Sequence, residues 1–467
     1  MSFYDHETYL SPFTWRYGSP EMRAIWSEVH RRRLWRRVWV ALATAQQAAG
    51  LLTAAELADI QTHQDDVDLA RAHEIEAEIG HDLMAELRTF AAQCSLGGGR
   101  LHLGATSADI QDNADVLRIR EALTLLHRRL LAVLDAFTAQ IERWADFPCM
   151  AYTHLQPAEP TTVGYRLCVY AQDLLADLQA VQRISAELRG KGFKGAVGTC
   201  ASYTALLEDS GVTCQEMERH ALALLGLEAV PVSGQVYPRK QDADVLHALA
   251  SIAQSLHKFA FDLRVLQAAP YGEWREPFSE RQVGSSAMPF KRNPVTAEKI
   301  CSLARFVAAL PRVAWDNAAG SLLERTLDDS ASRRLILPGA FLAVDEMLLS
   351  ARRIVAGLIV NEGAVTHNLT VYGVFAATER LLMTLARAGA DRQVMHERIR
   401  MHSMAAWAAV ERGEANPLVE LLCADEAIAA HLSPAQVREA LDARGHVGDA
   451  PRRCRAFLDE LRTTLAR

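Results

Sequence analysis

The feature that most constrains the fold is segment 109–146, which contains neither glycine nor proline. Its apolar residues recur at spacings of three and four, which places them on one face of a helix. At 1.5 Å per residue the helix would span more than about 50 Å, so we expect it to pack side by side with other long helices. The apolar stripe consists of Ile119, Leu123, Leu126, Leu130, Val133, Phe137, Ile141 and Trp144.

Three further segments also have the pattern of long helices, namely 161–189, which only Gly164 interrupts, 239–269 and the region 340–360. Prolines mark their limits: Pro160 precedes the first segment, and Pro270 follows the second. Alternating strand-like patterns bounded by turn residues are hard to find. The sequence therefore predicts an all-α fold with a long central helical bundle.

Two changes of pattern predict three domains. The glycine-rich segment 96–100 ends a first helical region, and near 361–363 the long-helix pattern gives way to shorter helices. We therefore predict an N-terminal helical domain over 1–106, a central bundle over 107–361 and a C-terminal helical domain over 362–467.

Charge and composition exclude several classes of protein. The chain has 467 residues, and 50 Lys+Arg against 57 Asp+Glu give a formal net charge of −7, which argues against nucleic-acid binding. The basic run 30–37 lies inside a helical pattern and is interpreted as a solvated or subunit-facing helix side. No apolar stretch reaches the roughly 18 to 20 residues of a membrane helix, so no membrane association is expected.

The cysteines and the N-terminus predict a cytoplasmic location. Eight cysteines are scattered without CxxC spacing, which favours reduced and mostly buried thiols. The N-terminal segment is polar and lacks the apolar region of a secretory signal. The sequence has no HExxH helix, and nothing in it predicts a metal site.

The segment 284–294, GSSAMPFKRNP, concentrates the polar chemistry of the chain. Hydroxyl groups, backbone N–H donors, two cations and an amide are crowded into eleven positions. Such a loop could bind a carboxylate and hold a serine as nucleophile or base. An ordinary basic surface loop would have the same composition, and the residues alone leave both interpretations open.

This segment resembles the signature loop of the fumarase/aspartase superfamily, whose members cleave C–N or C–O bonds and release fumarate. Together with ERTLDDSASRR at 324–334, it is similar to the adenylosuccinate lyase branch of that superfamily. Further blocks of the same resemblance follow in family order: TWRYGSPEM at 14–22, GHDLMAEL at 80–87, HLGATSADIQDN at 102–113, YTHLQPAEPTTVG at 152–164 and SGQVYPRK at 233–240.

The resemblance implies a three-domain fold and a homotetramer in which each active site draws residues from three chains. Two observations agree with this: the blocks are scattered over more than 300 residues, and the long apolar stripes exceed what one chain is expected to bury. It implies no cofactor and no metal, because the elimination needs only a base, an acid and charge stabilisation.

The implied reaction is β-elimination of fumarate from adenylosuccinate, giving AMP, and from SAICAR, giving AICAR, in purine biosynthesis. Ser285 stands at the position of the base, and His154 stands at the position of the general acid. Lys291 and Asn293 would bind the succinyl carboxylate. Arg16, Tyr17, Arg325, Ser330 and Arg334 resemble the phosphate and ribose contacts, and further substrate-binding positions are filled by His81, Asp82, His102, Thr106, Ser107, Thr153 and Gln235.

Two positions depart from the branch and leave the identity of the N-succinyl substrate open. Gly80 and Lys299 stand where some relatives have arginine. The alternatives are another fumarate-releasing lyase, of the nitrosuccinate, aspartate or argininosuccinate type or from secondary metabolism, and a catalytically inactive structural relative. The phosphate-binding set argues against the substrates without phosphate, and the intact Ser285 and His154 argue against a structural protein.

Overall fold

A computed structural model describes residues 7–279, 281 and 283–466. Short 3-10 turns lie at Gly98–Arg100 and Ala443–Gly445. The helices are α1 Pro12–Trp15, α2 Pro20–Ile25, α3 Glu28–Ala48, α4 Ala54–Thr62, α5 Leu69–Ile79, α6 Asp82–Gln93, α7 Ser107–Trp144, α8 Val163–Glu187, α9 Ala201–Leu206, α10 Cys214–Leu225, α11 Lys240–Gln267, α12 Val295–Ala319, α13 Asp329–Ala356, α14 Glu362–Ala376, α15 Thr378–Arg387, α16 Arg392–Glu411, α17 Leu418–Cys423, α18 Glu426–Ala429, α19 Pro434–Ala440 and α20 Ala450–Leu465. The strands are β1 Pro148–Thr153, β2 Gln156–Thr162, β3 Trp274–Arg275 and β4 Ile359–Val360.

The long helix predicted from segment 109–146 is α7. All eight residues of its apolar stripe are buried, and residues on its other sides, such as Leu117 and Leu125, are buried as well. The α7 stripe is therefore covered within a single chain. The expectation that this stripe exceeds what one chain can bury was wrong, because the rest of the same chain already buries all eight of its residues.

The other long helices are α8, α11, α12 and α13. The predictions for 161–189 and 239–269 are confirmed to within a few residues by α8 and α11. The start predicted near residue 340 was wrong, because α13 begins at Asp329 and has Pro338 inside it. A proline removes one backbone donor from a helix, and packing of the other residues compensates for that loss here. The predicted domain limits lie next to the starts of α7 and α14, and the three-domain division stays a prediction.

Two short antiparallel pairs interrupt the helical pattern, β1 with β2 and β3 with β4. In the first pair Thr153 is opposite Gln156, so only two residues form the turn. The sequence analysis missed this hairpin because β2 contains Pro157 and Pro160 and shows no clean alternation. Prolines are tolerated in such a strand because a two-stranded sheet consists of edge strands.

The chain divides into two compact units. The first unit is Met1–Leu130, Asp177–Gln254 and Ser302–Leu348, and the second is Leu131–Ala176, Ser255–Cys301 and Leu349–Arg467. In the second unit, an aromatic cluster of Phe137, Tyr170, Phe259 and Trp274 joins the long helices. The leucine-rich helices α15–α19 form a core of their own there.

The interpretation of the basic run 30–37 on α3 as a solvated or subunit-facing helix side was wrong for two of its arginines. Arg32 and Arg36 are completely buried in the first unit, and both bind the buried carboxylate of Glu86 on α6. Arg36 Nε donates to Glu86 Oε1 at 2.6 Å, and Arg32 Nη1 donates to Oε2 at 3.2 Å. Arg33 and Arg37 are exposed, as expected for a solvated side. The run therefore has a buried side and an exposed side, because residues four positions apart, such as Arg32 and Arg36, lie on the same face of a helix.

The prediction of mostly buried thiols is confirmed, because five of the eight free cysteines are buried: Cys94, Cys149, Cys168, Cys301 and Cys454. Among the described residues, no single helix is long and apolar enough to cross a membrane, although the bent pair α14 and α15 passes that test of length and composition when taken together.

Candidate active site

The first unit contains a cavity of about 760 Å³. Residues from α3, the start of α6, the start of α7, the segment before α11 and the start of α13 contribute to its walls. Eight of the side chains predicted to bind substrate line it together: His81, Asp82, Thr106, Ser107, Gln235, Arg325, Ser330 and Arg334.

An ion pair between α6 and α13 lies in the wall of this cavity. Arg334 Nη2 donates to Asp82 Oδ2 at 2.6 Å, and the Arg334 side chain is half exposed. Burial alone would raise the pKa of the Asp82 carboxyl, but the hydrogen bond and the charge of Arg334 lower it below its ordinary value. Asp82 is therefore ionised at neutral pH, and Arg334 can exchange it for an anionic ligand.

The Thr106–Ser107 corner at the start of α7 is fixed by a buried carboxylate, Asp109. Asp109 accepts the backbone N–H of Thr106 at 3.0 Å and the hydroxyl of Tyr203 at 3.2 Å, and it also binds Lys191. Ser107 Oγ lies 3.5 Å from His81 Nε2, so the serine and the histidine can share a ligand. The corner is held from the interior, which leaves its polar side chains available to the cavity.

Two buried arginines form the floor of the cavity, and both are neutralised by carboxylates. Arg239 binds Asp112 through both terminal nitrogens, at 3.0 and 3.2 Å, and Asp329 through Nε at 2.6 Å. Arg325 Nη1 donates to the other oxygen of Asp329 at 2.9 Å. Paired and hydrogen-bonded charges of this kind are costly to disturb once buried. The floor therefore orients Arg325, which is only partly buried, toward the cavity wall.

The second floor arginine is Arg333. Its Nε donates to Asp242 at 2.7 Å, its Nη2 donates to the Tyr237 hydroxyl at 2.7 Å, and Asp115 lies 3.2 Å away. Burial raises the pKa of the Tyr237 phenol well above its ordinary value, so the phenol stays protonated. Tyr237 accordingly donates to Asp242 at 2.5 Å. Arg333 is therefore held by two carboxylates and by the Tyr237 hydroxyl.

Arg16, Tyr17 and His102 belong to the same unit but lie outside the lining of this cavity. Arg16 is exposed, and its guanidinium lies over the rings of Trp15 and Tyr17. His102 Nδ1 accepts the indole N–H of Trp39 at 3.0 Å. Burial lowers the pKa of His102, so the ring is neutral at pH 7 and carries its proton on Nε2. The substrate-binding roles of these three residues stay predictions.

His154 lies in the second unit, at the two-residue turn between β1 and β2. His154 and Leu155 have φ values of 56° and 61°, in the left-handed region that side chains rarely adopt. Both central residues of a type I′ hairpin turn need positive φ, and here neither is glycine. The Tyr271 hydroxyl donates to the Leu155 carbonyl at 3.2 Å and helps to hold the turn. His154 and the adjacent Thr153 are exposed at its tip.

A completely buried carboxylate, Glu273, binds residues next to this hairpin and supports it. It accepts hydrogen bonds from the Tyr152 hydroxyl at 2.9 Å, Arg166 Nη1 at 3.0 Å and Asn368 Nδ2 at 3.0 Å. Burial and the charge of Glu273 raise the pKa of Tyr152, so its hydroxyl remains a donor. A strained turn at a functional site persists only when its surroundings fix it. The Glu273 network provides that support for the His154 turn.

In the signature loop, also in the second unit, the Ser285 hydroxyl oxygen is surrounded by backbone donors. Ser285 Oγ accepts the N–H of Ala287 at 3.3 Å and of Met288 at 3.1 Å. Donors aimed at an oxygen stabilise its charged form. The role of Ser285 as the base stays a prediction.

The loop is closed on itself through Gly284. Asn293 Nδ2 donates to the Gly284 carbonyl at 3.0 Å, and a Cβ at Gly284 would lie 2.1 Å from the Lys291 carbonyl oxygen. Only glycine permits that approach. The buried Glu276 carboxylate accepts the first backbone N–H groups of α12 and fixes the end of the loop. Lys291 is exposed.

Sequence reasoning missed the supporting residues of both units. Several of them lie inside the recognised motif blocks, and this position was the signal that could have identified them. They are Asp112, Tyr237, Arg239, Asp329 and Arg333. Glu273 and Arg31, which also lines the cavity, lie outside those blocks and gave no signal.

Comparison with known proteins identifies the family. The family model "Lyase" matches residues 16–308, and the model "Adenylosuccinate lyase C-terminus" matches residues 375–457. The adenylosuccinate lyase of Saccharomyces cerevisiae is 39% identical, covering 90% of this chain and 88% of the relative. The chain belongs to the adenylosuccinate lyase family. The adenylosuccinate lyase of Schizosaccharomyces pombe is 36% identical over 98% of this chain and 95% of its own length.

Two solved structures share the fold of this chain. The 3-carboxy-cis,cis-muconate lactonizing enzyme of Pseudomonas putida is 25% identical with a TM-score of 0.85, covering 97% of this chain and 99% of that one. A fumarate lyase from a Mesorhizobium species is 26% identical with a TM-score of 0.82 and the same coverage. The predicted all-α fumarase/aspartase fold is confirmed, as is the resemblance to adenylosuccinate lyases.

Proposed function

We propose that this lyase eliminates fumarate from adenylosuccinate to give AMP, and from SAICAR to give AICAR. Family membership supports the reaction, and the cavity supports the substrate class. The observation that supports a phosphate-bearing substrate is that Arg325, Ser330 and Arg334 line the same cavity. A phosphate group needs two or more guanidinium donors, and these residues supply them on a prearranged frame.

In the proposed mechanism Ser285 removes a proton from the succinyl Cβ. The electron pair of the broken C–H bond delocalises onto the adjacent carboxylate, which Lys291 and Asn293 bind. The C–N bond then breaks, a C=C bond forms, and His154 gives a proton to the departing nitrogen. The two backbone N–H donors on Ser285 Oγ support its role, because they stabilise the alkoxide form. No metal or cofactor takes part in these steps.

The decisive experiment is to incubate the purified protein with adenylosuccinate and follow the ultraviolet change as AMP forms. Parallel incubations with argininosuccinate, nitrosuccinate and aspartate test the alternative lyases. We expect conversion of adenylosuccinate and SAICAR alone. Conversion of only a substrate without phosphate would contradict this proposal and favour one of the alternative lyases. A fully inactive protein would favour a structural role.

Replacing Arg334 by alanine should raise KM for adenylosuccinate about tenfold or more with a smaller change in kcat. The reason is that the phosphate is remote from the breaking C–N bond, so its contacts contribute mainly to binding. Steady-state kinetics measures both constants. The matched control is Arg352→Ala, an exposed arginine on the same helix. Unchanged kinetics for Arg334→Ala would indicate a substrate without phosphate.

We also propose that the protein is a homotetramer whose active sites are shared between chains. Apolar side chains on the long helices support this, since Phe261, Phe306, Trp315 and Leu335 are between 41% and 73% exposed. Exposed apolar surface along helices is typical of subunit contacts. Sharing would place residues of more than one chain in each site.

Shared sites predict complementation between inactive variants. Chains carrying Ser285→Ala and chains carrying His154→Ala should regain part of the activity when they are unfolded and refolded together, because some mixed sites then receive both intact residues. Each variant refolded alone is the control and should stay inactive. A monomeric mass by light scattering, or no recovery in the mixture, would contradict the proposal.

A further inference from the structure

Arg31 on α3 lines the cavity, and no role has been assigned to it above. Its Nη2 donates to Glu28 at 2.7 Å, and its guanidinium lies 4.8 Å from the centre of the Trp35 ring. The same Nη2 lies 4.0 Å from Asp82 Oδ2, the oxygen that binds Arg334. Arg31 is therefore next to the proposed phosphate-binding wall.

Arg31 differs from the floor arginines in having donor capacity to spare. Arg239 and Arg333 each bind two carboxylates. Arg31 has one close carboxylate partner, Glu28, which also binds Arg32 Nε at 3.0 Å. The Nε of Arg31 is buried and has no hydrogen-bond partner in the part of the chain that the structure describes. Because Nε is shielded from solvent, the donors that a ligand could reach are those of the terminal nitrogens, and Nη2 is the one near Asp82.

The arrangement around Asp82 indicates which ligand group would fit. One carboxylate lies between two guanidinium groups, those of Arg31 and Arg334. A phosphate monoester carries more negative charge than a carboxylate and three acceptor oxygens, so it can displace Asp82 from both arginines. Space is available beside them, because a Cβ at Gly80 would meet no atom within 4 Å and Gly80 lines the same cavity.

We propose that Arg31 binds the phosphate of the substrate together with Arg334, so that α3 contributes a specificity-determining residue to the site. This inference rests on the proposed N-succinyl nucleotide substrate. Arg31 supplies a cation to the same cavity wall as Gly80.

The test uses AMP, adenosine and fumarate as inhibitors of adenylosuccinate cleavage and compares their inhibition constants. The ratio of the adenosine constant to the AMP constant isolates the contribution of the phosphate, and it does not depend on the fraction of folded enzyme. In Arg31→Gln this ratio should fall about tenfold, through weaker AMP binding, because a hydrogen bond to a charged group is lost. Arg31→Lys should retain part of the ratio, and Arg37→Gln, at an exposed arginine of the same helix, should retain all of it.

The outcomes separate this inference from the proposed function. A wild-type protein that does not cleave adenylosuccinate contradicts the function, and the inference falls with it. If the wild type is active and Arg31→Gln keeps its ratio within twofold, only the inference is wrong. A rise in the fumarate constant with an unchanged AMP constant would place Arg31 at the succinyl carboxylate and would also overturn it.

Discussion

Replacing Ser285 by alanine should lower kcat for adenylosuccinate by about 10² to 10⁴, while substrate affinity stays close to that of the wild type. The hydroxyl is proposed to take the Cβ proton, and it therefore contributes to the transition state and little to ground-state binding. The backbone donors of Ala287 and Met288 remain in the variant, since only the oxygen that accepts them is removed. Steady-state kinetics and direct binding of substrate to the variant measure the two effects.

The loop offers a matched control in Ser286, the exposed neighbour of Ser285. Ser286→Ala should keep kcat within a few-fold of the wild type. His154→Ala should lose kcat to a similar extent as Ser285→Ala, because the departing nitrogen then lacks its acid. Near-normal kcat in Ser285→Ala would mean that another group is the base.

Replacing Glu86 by alanine should destabilise the first unit by about 3–5 kcal/mol, because it removes the carboxylate that neutralises the buried Arg36. Arg32 also loses this partner but keeps its ion pairs with Glu28 and Glu76. Arg32, Arg36 and Glu86 are all completely buried, and their charges cannot be solvated without opening the structure. Urea unfolding followed by circular dichroism measures the loss. Glu86 is not part of the cavity lining, so the folded variant should retain its KM.

Glu78→Ala on α5 is the matched control, since Glu78 is exposed. Its free energy of unfolding should stay within about 0.5 kcal/mol of the wild type. Equal midpoints for Glu86→Ala and the wild type would show that the two arginines reach water or other partners without Glu86.

The helical scaffold could be predicted because its signal is local. The stripe of α7 and the limits of α8 and α11 follow from apolar spacing and from the positions of prolines, which any stretch of chain carries within itself. The motif blocks gave the family in the same way, since each is a short run of letters. Ser285 and His154 were found through those runs and not through any physical signal of their own.

Only the tertiary structure decided which polar residues meet. Glu86 binds Arg32 and Arg36 across 54 and 50 positions of sequence, and Arg239 reaches Asp112 across 127. No periodicity encodes such a partnership, because it depends on how separate helices pack. For the same reason the basic run on α3 was assigned to the surface as a whole, although its buried members neutralise one interior carboxylate.

The hairpin that carries His154 shows the same division between local pattern and packing. Its sequence contains two prolines and no glycine at the turn, which by local rules argues against a tight hairpin. The fold holds it through Tyr271 and the Glu273 network, whose members come from segments more than 90 residues apart. The sequence by itself determined the helices and the family, because both are written in contiguous residues. Only packing brings distant segments together to form the cavity and the ion-paired arginines of its floor. The same holds for the position of Arg31 beside Asp82.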